Sequence, residues 1–251
     1  MLAKSKKTTL TKTIGLLGGM GPEATVRFFE LIIKNTAAAE DQEHLKIIVL
    51  NYPQIPDRTK AILYGGESPI PYLIEGLNLL ERAGARLIAI PCMTAHYFLP
   101  QLKKHTRSRI ISLIEETANW TKLTFPQIKK VGLLATEGTI ATGIFLKAFQ
   151  TRNIQVLIPG NSGQKKIMEA IYGKKGIKAG FAGVGPRRLL LAGCKELLEQ
   201  GAEALIAGCT EIPLVLTQKN VTVPLIDPMV IGAKALIKKA GARVRNELQS
   251  S

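Results

Sequence analysis

The sequence predicts an α/β protein made of two pseudo-symmetric domains, each a parallel sheet flanked by helices, with the active site in the cleft between them. The first observation is a pair of short apolar runs, Leu87-Ile88-Ala89-Ile90 and Ala204-Leu205-Ile206-Ala207. Each follows a glycine (Gly84, Gly201) and each leads into a cysteine, Cys92 or Cys209. Short apolar runs bounded by Gly and Pro read as buried parallel strands. The second observation is a repeat. The cysteines lie 117 residues apart, and the same shift aligns residues 15 to 28 with 132 to 145 at seven identities in fourteen positions, where composition alone gives roughly one. The third is the join between Gly18-Gly19-Met20-Gly21 and Pro22, a strand-turn-helix junction of the kind open α/β sheets place at a ligand crevice.

In chain order, residues 1–12 are polar and basic without periodicity and read as a loose tail. Thr13 to Leu17 is the first strand. Pro22 opens a helix at the position that tolerates proline, with Val26, Phe29, Ile32 and Ile33 at helical spacing. Leu45 to Leu50 is the second strand and runs into Asn51 to Arg58, a loop stiffened by Pro53 and Pro56. A helix from Pro71 to Arg82 buries Leu73, Leu77 and Leu80 and stops at Gly84. The Cys92 strand leads into a helix through His96 to about Lys104. Arg109 to Ile114 is the next strand, and a helix from Glu115 crosses to the second unit. Lys130 to Leu134 opens that unit, whose first turn, Ala135 to Thr139, carries hydroxyls in place of glycines. Helices follow at Gln164 to Tyr172 and Pro186 to Gln200, where Leu190, Leu191, Cys194, Leu197 and Leu198 share a face and make Cys194 a core filler. Val223 to Pro228 mirrors the end of the first sheet, and the last helix returns to the first unit. The domains expected are therefore 1–112 with 224–251, and 113–223.

Composition narrows the function. With 251 residues the chain can bury a substantial core. No run approaches the ~20 apolar residues of a membrane span, and Met1 to Lys7 lacks a secretory apolar stretch, so a cytoplasmic protein without membrane association is expected. Three cysteines without a framework pattern suit a reducing compartment. The net charge of +15 is spread as lysine pairs and singles without a basic stripe or interleaved aromatics, which speaks against nucleic acid and leaves a basic surface that favours small anions. The glycines at 15, 18, 19 and 21 do not give a dinucleotide fingerprint. The loop Gly173 to Gly180 lacks the P-loop ending. Cys92 and His96 stand four apart, but no further cluster completes a metal site.

Two thiols at equivalent strand ends suit inversion of a carbon centre. One thiolate removes a proton from one face while the opposite thiol delivers a proton to the other. A free thiol ionises near pH ~8.5, so the base needs a helix N-terminus or a cation nearby. Arg58 reads equally as a bidentate carboxylate or phosphate contact and as a surface arginine paired with Asp57 or Glu67. His96 either faces the cleft or caps local hydrogen bonds; His44 and His105 read as surface residues.

Ile14 to Pro22, Pro53 to Arg58, the two cysteine motifs, Lys178-Ala179-Gly180 and Leu225 to Pro228 together resemble the cofactor-independent aspartate/glutamate racemase family, its aspartate racemase branch in particular. The resemblance implies two pseudo-symmetric α/β domains, a homodimer, and interconversion of L- and D-aspartate without pyridoxal phosphate or metal. It implies Cys92 and Cys209 as the acid/base pair and Thr94 and Thr210 as holders of the α-carboxylate, with Met93 and Ala95 in the same substrate-binding stretch. Arg58 and Lys178 would take the side-chain carboxylate. One departure is notable: Met93 stands where the family motif has asparagine. Loss of such a donor costs ~3–4 kcal/mol of transition-state stabilisation by analogy with oxyanion-hole deletions. The alternatives are racemisation of glutamate or another amino acid, and a non-catalytic dicarboxylate-binding homologue.

Overall fold

A computed structural model of the chain describes residues 11–245, so all but the last two residues of the expected basic tail lie outside the described residues. The first unit runs β1 (Ile14–Gly18), α1 (Pro22–Asn35), β2 (Ile47–Asn51), α2 (Arg58–Leu63), α3 (Ile70–Arg82), β3 (Leu87–Ala89), α4 (Leu99–Leu102) and β4 (Arg109–Ile111). After α5 (Leu113–Thr124) the second unit runs β5 (Lys130–Leu134), α6 (Glu137–Ala141), α7 (Ile144–Gln150), β6 (Gln155–Leu157), α8 (Asn161–Tyr172), α9 (Val184–Glu199), β7 (Ala204–Ala207) and β8 (Leu225–Ile226), and α10 (Pro228–Ala240) follows. Each unit holds one parallel four-stranded sheet, in the orders β2-β1-β3-β4 and β6-β5-β7-β8. The 117-residue shift holds in register: Ile14 pairs with Leu87, and Val131 with Ala204.

Packing repeats with the same shift. A Cβ on Gly15 would stand 2.9 Å from the Ala85 Cβ and 3.3 Å from both Leu80 and Ile88. One on Gly132 would stand 2.9 Å from Leu197 and from Leu205. Leu197 and Leu205 are the counterparts of Leu80 and Ile88, so both glycines serve one purpose: each lets its helix, α3 or α9, lie close on the central strand.

The helices after β4 and β8 join the units. The Ser112 hydroxyl caps α5 by accepting from the Glu115 N–H at 3.3 Å. The Asp227 carboxylate caps α10 by accepting from the Met229 N–H at 2.9 Å and pairs with Arg27 of α1 at 2.6 Å. α10 packs on α1 and β3 of the first unit, α5 packs on α7 of the second, and the two pack on each other. One apolar core therefore runs through both units, with a second under α3 and a third under α8 and α9.

Four expectations shift. Helix α1 buries Ala24, Phe28 and Ile32, while Val26, at 69% exposure, Phe29 and Ile33 face outward, because α10 and the sheet cover a different stripe. The helix expected after Cys92 is broken into a 3-10 turn at Thr94–Phe98, the short α4 containing Pro100, and a second 3-10 turn. The Ser112 cap starts α5 at Leu113, two residues early. β8 pairs with β7, so the second sheet extends past residue 223 to Ile226. Among the described residues no helix is long and apolar enough to cross a membrane.

Candidate active site

Cys92 follows β3 and Cys209 follows β7, both are free thiols, and they are 5% and 7% exposed. They line one internal cavity together with Arg58, Met93, Thr94, Lys178 and Thr210, so seven of the eight residues singled out in the sequence meet there. Ala95 does not; it packs into the first unit's core. The cavity measures about 10 Å³, room for about one water. Beside it lies an open cleft of about 610 Å³ walled by the Gly19 to Glu23 turn, the Pro53 to Arg58 loop and Ile177 to Gly180. Met20, Arg58, Lys178 and Glu211 line both spaces.

Both thiols have a cation nearby, Arg58 and Lys178 for Cys92 and Lys178 for Cys209, and Cys209 has the Glu211 carboxylate as well. Arg58 is not a surface residue: it is 7% exposed, and its guanidinium donates to the carbonyls of Ile55 at 3.0 Å, Pro56 at 2.9 Å and Met20 at 3.3 Å. Its Nε is buried without a partner. Burial disfavours that cation, but the nearby Cys92 and Asp57 outweigh it and hold its pKa above the ordinary value. Cys209 instead donates to Glu211 Oε2 at 3.0 Å. Burial first, then the Glu211 charge, push the Cys209 thiol well up, against the opposing pull of Lys178. Cys209 is therefore a protonated thiol at neutral pH.

Glu211, at 4% exposure, is the residue the sequence reading passed over. Its Oε1 accepts from Lys178 Nζ at 2.7 Å and from the Gly21 N–H at 3.2 Å, and its Oε2 accepts from Cys209 and from the Thr210 hydroxyl at 3.0 Å. Lys178 also lies over the Tyr172 ring, 5.6 Å from its centroid, and Tyr172 donates to Asp57 Oδ2 at 3.0 Å. Residues of the two units thus close the wall of the cleft. The only signal for Glu211 in the sequence was its place in the second cysteine motif.

Thr94 meets Thr139 Oγ1 at 2.7 Å and Thr136 Oγ1 at 3.3 Å, a buried hydroxyl group across the unit boundary. The hydroxyls noted in the second unit's first turn are these two. Met93 is 2% exposed and packs into the shared core. His96 is structural: Nδ1 lies 2.9 Å from the Cys92 carbonyl, and Nε2 accepts from the Leu113 N–H at 3.0 Å. That pairing requires the neutral ring with its proton on Nδ1, and burial lowers its pKa to about 4. Burial pushes the Cys194 thiol up to about 12, in keeping with a core filler. Among the described residues no group of three or more His, Cys, Asp or Glu could hold a metal ion.

Against solved structures, the chain is similar to the aspartate racemase of Picrophilus torridus, with a TM-score of 0.79 and 32% identity over 94% of this chain and 97% of that one. It has the fold of the glutamate racemase of Campylobacter jejuni at a TM-score of 0.66 and 17% identity, over 94% and 88% of the two chains. In sequence it is 26% identical to the broad specificity amino-acid racemase RacX of Bacillus subtilis over 89% of this chain and 96% of the relative. The family model for Asp/Glu/hydantoin racemases matches residues 17–236, which takes in both cysteines and every strand except the start of β1. The chain with two thiols facing one cavity thus belongs to the Asp/Glu/hydantoin racemase family.

Proposed function

We propose that the chain is an isomerase that interconverts L- and D-aspartate, with Cys92 and Cys209 exchanging protons at Cα from opposite faces. The observation that carries this reading is that two free thiols from equivalent strand ends line one small cavity with Arg58 and Lys178. Cys92 has the cations Arg58 and Lys178 as its charged neighbours and acts as the base of the resting enzyme; Cys209 has a carboxylate as well as Lys178 and acts as the acid. The Cys92 thiolate takes the Cα proton as the Cys209 S–H gives its own to the other face. The product complex then holds a Cys92 thiol and a Cys209 thiolate, and the return reaction uses them in reversed roles. Arg58, with its unpaired Nε, receives the side-chain carboxylate together with Lys178. Thr94 and Thr210 hold the α-carboxylate, and Met93 lines the cavity beside them. No cofactor enters the scheme. The expected division into 1–112 with 224–251 and 113–223 assigns one thiol to each domain; with β8 in the second sheet the return to the first domain begins after Ile226, and the packing of α10 on α1 supports that returning segment. We further propose a homodimer, on the resemblance alone.

A second reading is a racemase of other amino acids. It is favoured by Met93 in place of asparagine, by the commitment of Lys178 to Glu211, and by the similarity to the broad-specificity enzyme of Bacillus subtilis. Proton NMR of L-aspartate in D2O tests both. Loss of the Cα–H signal that requires both cysteines, with growth of D-aspartate, supports the first reading. Exchange on other amino acids but not on aspartate supports the second. Binding of aspartate without exchange on any amino acid defeats both and leaves a dicarboxylate-binding protein.

A further inference from the structure

We infer that the Glu211 carboxylate is a resident plug: it fills the anion site that a substrate carboxylate takes, and the substrate binds by displacing it. The inference rests on the racemase reading of this site and adds to it how the site is occupied before substrate arrives. Four donors converge on Glu211, two on each oxygen, and they come from both units: Lys178 Nζ, the Gly21 N–H before α1, the Cys209 thiol and the Thr210 hydroxyl. Two donors on each oxygen saturate a carboxylate. Lys178, a cation that an anionic substrate would need, is thereby already paired.

The space between the thiols, about 10 Å³, is too small for any amino acid, whereas the adjoining cleft of about 610 Å³ is not. Glu211 and Lys178 line both and form part of the wall between them. A carboxylate arriving from the cleft meets Lys178 and the Gly21 N–H with a like charge in place, and two carboxylates cannot share those donors. The unpaired Arg58 Nε is the other half of the argument, since one buried donor in the same wall still lacks an acceptor. Lys178 and the Cys209 and Thr210 donors offset the burial of Glu211 and keep its pKa below the ordinary value, so the plug is charged. Besides Lys178 and Cys209, the ionisable groups lining the cavity are Arg58, Tyr172 and Cys92. Once Glu211 leaves, the Cys209 S–H loses its acceptor and is free to turn toward the bound molecule. Binding and readiness of the acid are coupled through one side chain.

The test is calorimetric titration with succinate, a dicarboxylate without an ammonium group, of the wild type and of Glu211→Gln. If the unplugged state is about a tenth of the resting population, removing the competitor tightens apparent succinate binding on the order of tenfold. In a Lys178→Met background the same substitution is expected to give no gain. Should Glu211→Gln not fold, Glu211→Asp, one methylene shorter, is expected to tighten binding in the same direction by a smaller factor. Succinate binding that is unchanged, weaker or absent in the variant overturns the inference. So does weaker L-aspartate binding with unchanged succinate binding, which would make Glu211 the partner of the substrate ammonium. Cα deuterium exchange of aspartate by the wild type is measured in parallel. Exchange without a succinate effect defeats the plug and leaves the racemase, while a succinate effect without exchange keeps the plug in a binding protein.

Discussion

Replacing Met93 with asparagine separates what this position does for the fold from what it does for the chemistry. The side chain is 2% exposed, packs in the core shared by the two units, and also lines the cavity between the thiols. Removing it forfeits ~1.5–3 kcal/mol of apolar burial. The new amide must find partners beside Thr94, Thr136 and Thr139, which already satisfy one another; each buried group left unsatisfied costs ~1–3 kcal/mol. A combined loss of about 2.5–6 kcal/mol lowers the melting temperature by roughly 5–24 °C in a chain of this size. If the amide restores a donor for the charge that develops at Cα, kcat/KM for aspartate rises by ~100–1000-fold. Thermal unfolding followed by circular dichroism and chiral separation of the reaction products give the two numbers independently. An unchanged melting temperature refutes the packing argument. A folded variant whose kcat/KM is not raised refutes the assignment of position 93 as a missing donor.

Cys92→Ala and Cys209→Ala are each expected to lower kcat/KM by at least ~10²–10⁴-fold, the value of one positioned acid or base; racemisation surviving either change refutes the two-thiol scheme. His96 governs acid stability. Its folded pKa lies at about 4 against an ordinary 6.5, with burial the main cause. Below pH 6.5 the unfolded chain takes up a proton the native ring refuses, so stability is lost as pH falls toward 4 and levels off beneath it. The total is roughly 3 kcal/mol. Urea unfolding at pH 7 and pH 4.5 measures this, and His96→Asn is expected to flatten that part of the difference. Gly232→Ala would set a Cβ 2.2 Å from the Cδ2 of the buried Leu113, where α10 crosses α5; overpacking there is expected to cost ~1–3 kcal/mol in thermal unfolding.

The central strands were readable because β1, β3, β5 and β7 are buried on both faces and so appear as uninterrupted apolar runs. The α1 face was misread because spacing alone does not say which of two apolar stripes a neighbouring helix covers, and α10 arrives from 200 residues away, as the Arg27 to Asp227 contact shows. In the site, the cysteines were legible from local punctuation by glycine and proline. Glu211 was not, since what distinguishes it is its pairing with Lys178, 33 residues away, and with Gly21, 190 residues away. Arg58 reads two ways in the sequence for a partly different reason: two of its three carbonyl acceptors, Ile55 and Pro56, are local and depend on how their loop turns, and only Met20, 38 residues away, is distant.

The duplication also accounts for why the proposed acid and base are unlike. A racemase that works with two thiols needs one charged and one neutral before substrate arrives, yet a scaffold repeated with a shift of 117 residues offers two equivalent positions. The difference must come from substitutions beside the thiols. By that shift Thr210 is the counterpart of Met93, and Glu211 the counterpart of Thr94. On the first side Thr94 joins a cluster of neutral hydroxyls, so the charged neighbours of Cys92 are the cations Arg58 and Lys178. On the second side the same position carries a carboxylate that accepts the Cys209 proton bond and neutralises Lys178. A cation favours a thiolate and a carboxylate disfavours one. The exchange of threonine for glutamate at this position, together with Arg58, whose counterpart by the shift is Lys175, makes the surroundings of the two thiols unlike while the sheets that hold them keep their symmetry.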